Sequence, residues 1–324
     1  MCSGKGLNRV DASSKEPLTY IYNYSWIEDE KSLCALEMRA LFGADTESTI
    51  LESTIKVDPS RSPFIKERID VIYQGDTLQD VIRQVKDLHI DKSFRMIFVK
   101  NQDLEKVGFT ERRKIERDVG LEIPGEADLV HPELLLGIMN VNGRWVFGEY
   151  YKNEAIWLHH QKKPHSYSTS LSTRVARAVA NIAVPNPTGI KAIDPCCGIG
   201  TVLVEALSMG IDIVGSDFNP LLIEGVRENI AHFGLAGDVS MKDIRNVTGS
   251  YDVAIIDIPY NLYSAITPEQ QREMLESARK FADKLVIVTI EPIDSVILGV
   301  GFEIIDRCTV KKGLAFVRQI IVCK

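Results

Sequence analysis

The chain has 324 residues, is 45% hydrophobic and 26% charged, and carries a net charge of −7. That length accommodates two domains that each bury a core, and the ordinary balance excludes a disordered or collagen-like chain. The longest apolar runs are strand-sized, so no transmembrane helix and no membrane partner are expected, and the polar start Met1–Glu16 lacks a signal-peptide core. The cysteines at 2, 34, 196, 197, 308 and 323 form no C-x-x-C pair and no zinc spacing. They read as small buried thiols in a reducing, cytoplasmic setting, and no metal is expected. An acidic chain is not the usual nucleic-acid binder. Local clusters offset this: Arg112-Arg113-Lys114 with Arg117, Lys162-Lys163 with His165, and Arg174 with Arg177.

In chain order, 18–24 alternates like a strand, and 28–42 has helical periodicity stopped by Gly43. Segment 48–55 reads as a strand, 59–63 as a turn-rich break and 68–73 as a strand. A clear helix stripe runs over 78–88, a strand over 94–99 and a charged amphipathic helix over 106–119. Strands 134–141 and 144–151 form a hairpin about Asn142-Gly143. This half mixes antiparallel strands with helices and holds no catalytic constellation. The segment 157–164 reads as a linker, followed by an amphipathic helix within 166–183 that Ser170 or Ser172 can cap.

The second half alternates: strand 192–194, helix 201–209, strand 211–215, helix 220–233, strand 239–241, strand 253–256, helix 268–281, strand 285–289 and a terminal hairpin of 301–305 with 316–322. Alternating βα units imply a parallel sheet with helices on both faces. At its start, Asp194-Pro195-Cys196-Cys197-Gly198-Ile199-Gly200-Thr201 reads as a strand end, a Gly-rich loop and a helix start. Gly198 and Gly200 let the backbone approach a ligand. Asp217 closes the next strand about 20 residues on, where a nucleotide-binding unit holds ribose hydroxyls. The third glycine of a dinucleotide fingerprint is missing, and an acid before the loop suits a ligand with positive charge better than a pyrophosphate.

This loop resembles the D-P-x-C-G-x-G-T loop of class I S-adenosylmethionine (SAM) methyltransferases acting on nucleic acids. Asp257-Ile258-Pro259-Tyr260 resembles their D-P-P-Y motif, the mark of enzymes that methylate exocyclic or amide nitrogens; Ile258 stands where that motif has proline. Asp128-Leu129-Val130-His131-Pro132-Glu133-Leu134 and Arg144-Trp145-Val146-Phe147-Gly148-Glu149 resemble the end of a THUMP domain. Together these resemble the THUMP-containing tRNA guanosine N2-methyltransferases. The resemblance implies a Rossmann-like class I methyltransferase domain over 189–324, a ferredoxin-like and THUMP-like α+β region over 1–156 that grips tRNA, and a linker with a leading helix over 157–188.

In open α/β sheets a ligand lies over the carboxyl ends of the strands, and Asp194, Asp217, Asp243 and Asp257 all fall there. Asp194 is expected at the amino-acid end of SAM, Gly198 and Gly200 beside its methionine part, Asp217 at the ribose, Phe218 on the adenine, and Asp243 with Ile244 at the adenine amino group and ring, with Cys196 also among the cofactor-binding residues. Asp257, Pro259 and Tyr260 are expected to carry transfer, with Asp257 and the carbonyl of residue 258 accepting from the amine and Tyr260 stacking on the base. The reading is methylation of guanosine N2 in tRNA. Ribosomal RNA guanine-N2, DNA adenine-N6, and a SAM-binding RNA-binding protein without catalysis stay open, as do protein partners.

Overall fold

A computed structural model describes residues 19–44, 47–167, 170–259, 267–312 and 316–324. Its elements in chain order are β1 (Tyr20–Tyr24), α1 (Lys31–Phe42), β2 (Ile50–Ser53), β3 (Ile65–Gly75), α2 (Leu78–Val85), β4 (Phe94–Phe98), α3 (Phe109–Gly120), β5 (Leu134–Val141), β6 (Arg144–Lys152), α4 (Trp157–His160) and α5 (Thr173–Ala183). The chain continues with β7 (Lys191–Asp194), α6 (Thr201–Ser208), β8 (Asp212–Asp217), α7 (Pro220–His232), β9 (Val239–Met241), β10 (Tyr251–Asp257), α8 (Pro268–Arg279), β11 (Ala282–Thr289), α9 (Asp294–Gly299), β12 (Ile304–Lys312) and β13 (Phe316–Cys323).

These elements form two compact units that are discontinuous in sequence. One comprises residues up to Ser25, Thr46–Pro59 and Ile65–Asn153; the other comprises Trp26–Asp45, Ser60–Phe64 and Glu154–Lys324. The expected N-terminal region over 1–156 is therefore interrupted, because α1 packs with the C-terminal half.

The first unit is a six-stranded sheet in the order β2-β1-β3-β6-β5-β4. Its pairs are antiparallel except β4 with β5, a parallel pair not anticipated from the sequence. The β5–β6 hairpin turns through Asn142 at φ 53° and Gly143 at φ 87°, the left-handed pair that a tight two-residue turn requires. Thr77 and Asp80 cap α2 reciprocally. The stripes of α2 and α3 (Val81, Val85, Ile115, Val119) close over Phe94, Leu136, Ile138 and Phe147 of the sheet.

The second unit is a seven-stranded sheet in the order β12-β13-β11-β10-β7-β8-β9, in which β13 is antiparallel to both its neighbours. This is the strand order of a Rossmann-like class I methyltransferase. On one face, Leu275 and Ala278 of α8 and Ile297 of α9 pack on Ala254, Ile256, Leu285, Ile287 and Ile321. Pro268 opens α8, and Thr267 and Gln270 cap it reciprocally. Strand β12 is longer than expected and shifted toward its C-terminal end. Its charged residues hide its alternation, and one of them, Asp306, takes a two-pronged bond from Arg39 of α1 at 2.8 and 2.9 Å.

A buried polar network adjoins α1. Glu37 accepts from Ser62 Oγ and from Asn181 Nδ2, and Arg61 Nε donates to Asn181 Oδ1. Arg177 of α5, 1% exposed, donates to the carbonyls of Ser60 and Arg61 and pairs with Glu205 of α6 at 2.8 Å. His160 Nδ1 meets the other Glu205 oxygen at 2.8 Å. The Arg174 and Arg177 cluster expected as a basic surface is thus not one: Arg177 is interior, and Arg174 pairs with Glu30 at 2.7 Å.

Candidate active site

Strand β7 lies between β8 and β10, and the chain leaves it in opposite directions on its two sides. At such a switch point the loops diverge and open a crevice at the carboxyl ends of the strands. A cavity of about 360 Å³ fills this position in the second unit. It is lined by Asp194, Cys196, Gly198, Asp217, Phe218, Asp243, Ile244, Asp257 and Pro259 among others. Of the residues singled out from sequence, Gly200 is not in the lining, and Tyr260 lies outside the described residues.

Each acid enters from the end of its strand, and the carboxylates differ in what already holds them. Asp194 is buried and accepts from the Cys196 N–H at 3.3 Å. Burial pushes its pKa well above the usual carboxylate range, with the nearby charges of Asp257 and Asp217 adding to the effect. Asp217 accepts from the N–H of Gly198 at 2.9 Å through one oxygen and from that of Asn219 at 2.9 Å through the other. It therefore ties the Gly loop to the start of α7, whose first turn Asn219 caps. Asp243 is claimed by Arg245, which donates its N–H and Nε to one oxygen at 2.8 and 3.0 Å and Nη2 to the other at 2.7 Å. These bonds hold the Asp243 carboxyl below its usual range. Any further acceptance by Asp243 shares its oxygens with Arg245, a constraint invisible in the sequence.

Asp257 is different. Its Oδ1 is buried without a hydrogen-bond partner among the described residues. Burial pushes its pKa up to about 7, against the opposing charge of Arg318. Thr201 Oγ1, at the start of α6, is a second buried polar atom in the lining without a partner among the described residues; in the sequence it is simply the last residue of the Gly-rich loop. An acidic floor, two unsatisfied polar atoms and the apolar walls of Phe218, Leu222, Ile244 and Met274 suit a ligand with a positive centre, hydroxyls and an aromatic ring. SAM has these features.

The two glycines do different work. Gly198 has φ 55° and open space where a Cβ would sit, and it borders the cavity. Gly200 has φ 78°, and a Cβ there would come within 2.6 Å of Val226 Cγ1. The expected approach of Gly200 to a ligand is replaced by close packing of the loop on α7. Gly200→Ala is expected to lower the unfolding free energy by roughly 2–4 kcal/mol, through the left-handed backbone and the overlap together. Denaturant unfolding measures it, and an unchanged midpoint would refute this packing role.

Ile258 is 2% exposed within the core beneath α8 and α9, and its N–H extends the sheet ladder to the Val288 carbonyl at 2.9 Å. Proline could not make that bond. The stiffness lost with proline is replaced here by a ladder bond and a buried side chain. Cys196 and Cys197 are not activated thiols: burial and the surrounding carboxylates push both up. No group of three or more metal-ligating side chains occurs among the described residues, and no described helix is long and apolar enough to cross a membrane.

Residues 160–289 match the family model UPF0020, described as an RMKL-like methyltransferase domain. The chain is similar to the tRNA (guanine(10)-N2)-dimethyltransferase of Methanothermobacter thermautotrophicus, 29% identical over 251 residues that cover 70% of this chain and 71% of that one. With the enzyme of the same name from Pyrococcus abyssi the identity is 21% over 251 residues, covering 72% and 75%. A shorter stretch of 100 residues is 33% identical to the mouse U6 snRNA (guanine-N(2))-methyltransferase THUMPD2, covering 29% of this chain and 19% of that one. Among solved structures, TrmN from Thermus thermophilus aligns with a TM-score of 0.47 at 16% identity, covering 94% and 99%. The chain is therefore similar to guanine-N2 methyltransferases, and residues 160–289 carry a methyltransferase domain whose cofactor is S-adenosylmethionine.

Proposed function

We propose that this protein methylates the exocyclic N2 amine of a guanosine in structured RNA, with tRNA as the substrate. The observation that carries this is Asp257 Oδ1, buried and unpartnered at the cavity wall within a D-I-P-Y motif. Bound SAM supplies an electrophilic methyl group on a sulfonium. The chain's task is to present the amine. Its lone pair is delocalised into the ring, and two acceptors that take both N–H hydrogens favour the pyramidal form that exposes it. Asp257 is one acceptor and the carbonyl of Ile258 the other, with the Ile258 ladder bond and Pro259 holding that peptide in place. Tyr260 is assigned base stacking on its place in the motif alone, worth roughly 1–3 kcal/mol.

On the cofactor side, Asp194 and Thr201 are assigned the amino-acid end, Asp217 the ribose, and Asp243, Ile244 and Phe218 the adenine. The first unit is assigned RNA binding as a THUMP-like domain. Its helix α3 presents Phe109, 71% exposed, with the Arg112 guanidinium 5.8 Å from the ring centroid, and Lys114 and Arg117 nearby in sequence on the same helix. An exposed ring among cations suits a splayed base beside a phosphate backbone.

The test is transfer of labelled methyl from SAM to purified tRNA, ribosomal RNA and small nuclear RNA, offered separately. Label in tRNA is expected. Label confined to small nuclear or ribosomal RNA would keep the chemistry and overturn the substrate. No label in any RNA, with cofactor binding demonstrated by calorimetry, would overturn the activity.

A further inference from the structure

A buried arginine lies at the carboxyl edge of the catalytic sheet and takes no part in the chemistry described above. Arg318 is 5% exposed. It reaches this edge because β13 runs against the other strands, so that its early residues lie where β10 and β11 end. Asp257 is in register with Val288 of β11, and Val288 with Ile320 of β13. These three side chains therefore form a row on one sheet face. Arg318, two residues from Ile320, shares that face by the alternation of the strand. The opposite face carries Ile256, Ile258, Ile287 and Ile321 beneath α8 and α9. A long, buried cationic side chain thus stands on the face that holds the Asp257 carboxyl.

We propose that Arg318 is a positioning residue for methyl transfer, whose charge keeps the Asp257 side chain an ionised acceptor. The inference rests on the assignment of Asp257 as acceptor of the amine hydrogens. A protonated carboxyl would place a donor where the reaction needs an acceptor, and burial works in that direction. Among the described neighbours of Asp257, Asp194 from the end of β7 is acidic and the Cys196 thiol stays protonated, so neither opposes protonation. Among the remaining cavity charges, Arg245 is engaged with Asp243 and lies 3.4 Å from Glu273 of α8. Among the described residues Arg318 is a buried cation on the Asp257 face, and in low dielectric an opposite charge shifts a carboxyl by about 1–3 pH units.

The test compares the pH dependence of kcat for RNA methylation in the wild type, Arg318→Gln and Arg318→Lys. Wild-type activity is expected to rise with pH through an acid limb. Arg318→Gln moves that limb upward by about one pH unit or more, so its activity at neutral pH falls about tenfold and recovers toward pH 9. Arg318→Lys keeps the wild-type limb, and affinity for S-adenosylhomocysteine by calorimetry is unchanged in both. If Arg318→Gln does not fold, Arg318→Met takes its place, and the Lys variant still tests the claim: a limb displaced in Lys as far as in the uncharged variant refutes a role through charge. Profiles that superimpose for wild type, Gln and Lys overturn the proposal. A wild type that transfers no methyl overturns the underlying functional reading instead, so the two failures are distinct.

Discussion

Replacing Asp257 with asparagine is expected to lower kcat for methyl transfer by about 10²–10³-fold, the usual loss when one preorganised polar contact to the reacting group is removed. Asparagine keeps the shape and one acceptor oxygen, but its NH2 opposes the amine that the carboxylate accepts from. The cofactor affinity stays within a few fold, because Asp217, Asp194 and the Gly198 loop are untouched. The same side chain sets a pH signature. Burial raises its pKa from 3.8 to about 7, so the amine-accepting form accumulates only as pH approaches and passes 7. Stability runs the other way. The folded state holds this proton more tightly than the unfolded chain, so the contribution is fully present below about pH 4 and is lost as pH rises through about 7. Asp257→Asn removes that slope, which thermal melts between pH 4 and 8 would reveal as a flatter profile. A variant with full activity and the wild-type slope would refute both roles.

The second large effect is on folding. Arg177→Met is expected to cost about 3–5 kcal/mol, because it leaves the fully buried Glu205 carboxylate without its cation. It also removes the bonds that Arg177 donates to the carbonyls of Ser60 and Arg61. Adding Glu205→Gln removes the orphaned charge and is expected to recover part of the loss. Denaturant midpoints for the two single variants and the double variant measure the coupling, and strictly additive losses would contradict a paired interaction. The pair matters for the site because α6, which carries Glu205, starts at the end of the Gly loop. An α6 no longer anchored to α5 lets Thr201 and the loop drift from the cavity.

The catalytic half was legible in the sequence because its signals are local. The alternating βα pattern, the Gly loop and the acids at strand ends each follow from a few consecutive residues, and four of those acids line one cavity. What was not legible depends on residues distant in the chain. Arg177 reads as part of a local basic cluster, yet both it and Glu37 are interior, since partners at Glu205, Ser62 and Asn181 satisfy them. The same long-range polar ties draw α1 into the second unit, so the domain boundary is not a single cut. Asp243 lines the cavity as expected, but its fork with Arg245 is a side-chain geometry that no local pattern encodes. Gly200 carried the right residue for a reason unrelated to the one first inferred. Strand β12 runs past the expected end at 305 because Cys308 and Val310, set among the charged Asp306, Arg307 and Lys311, are buried. Tyr260 lies outside the described residues, so its stacking role rests on the motif.

The central claim is that the methyl group arrives on N2 of guanine. Nucleoside mass spectrometry of RNA methylated in vitro by the wild-type protein with isotopically labelled SAM tests it directly, with Asp257→Asn run in parallel. The account predicts label in N2-methylguanosine, strongly reduced in the variant. Label in N6-methyladenosine, or label in N2-methylguanosine undiminished by Asp257→Asn, would contradict it.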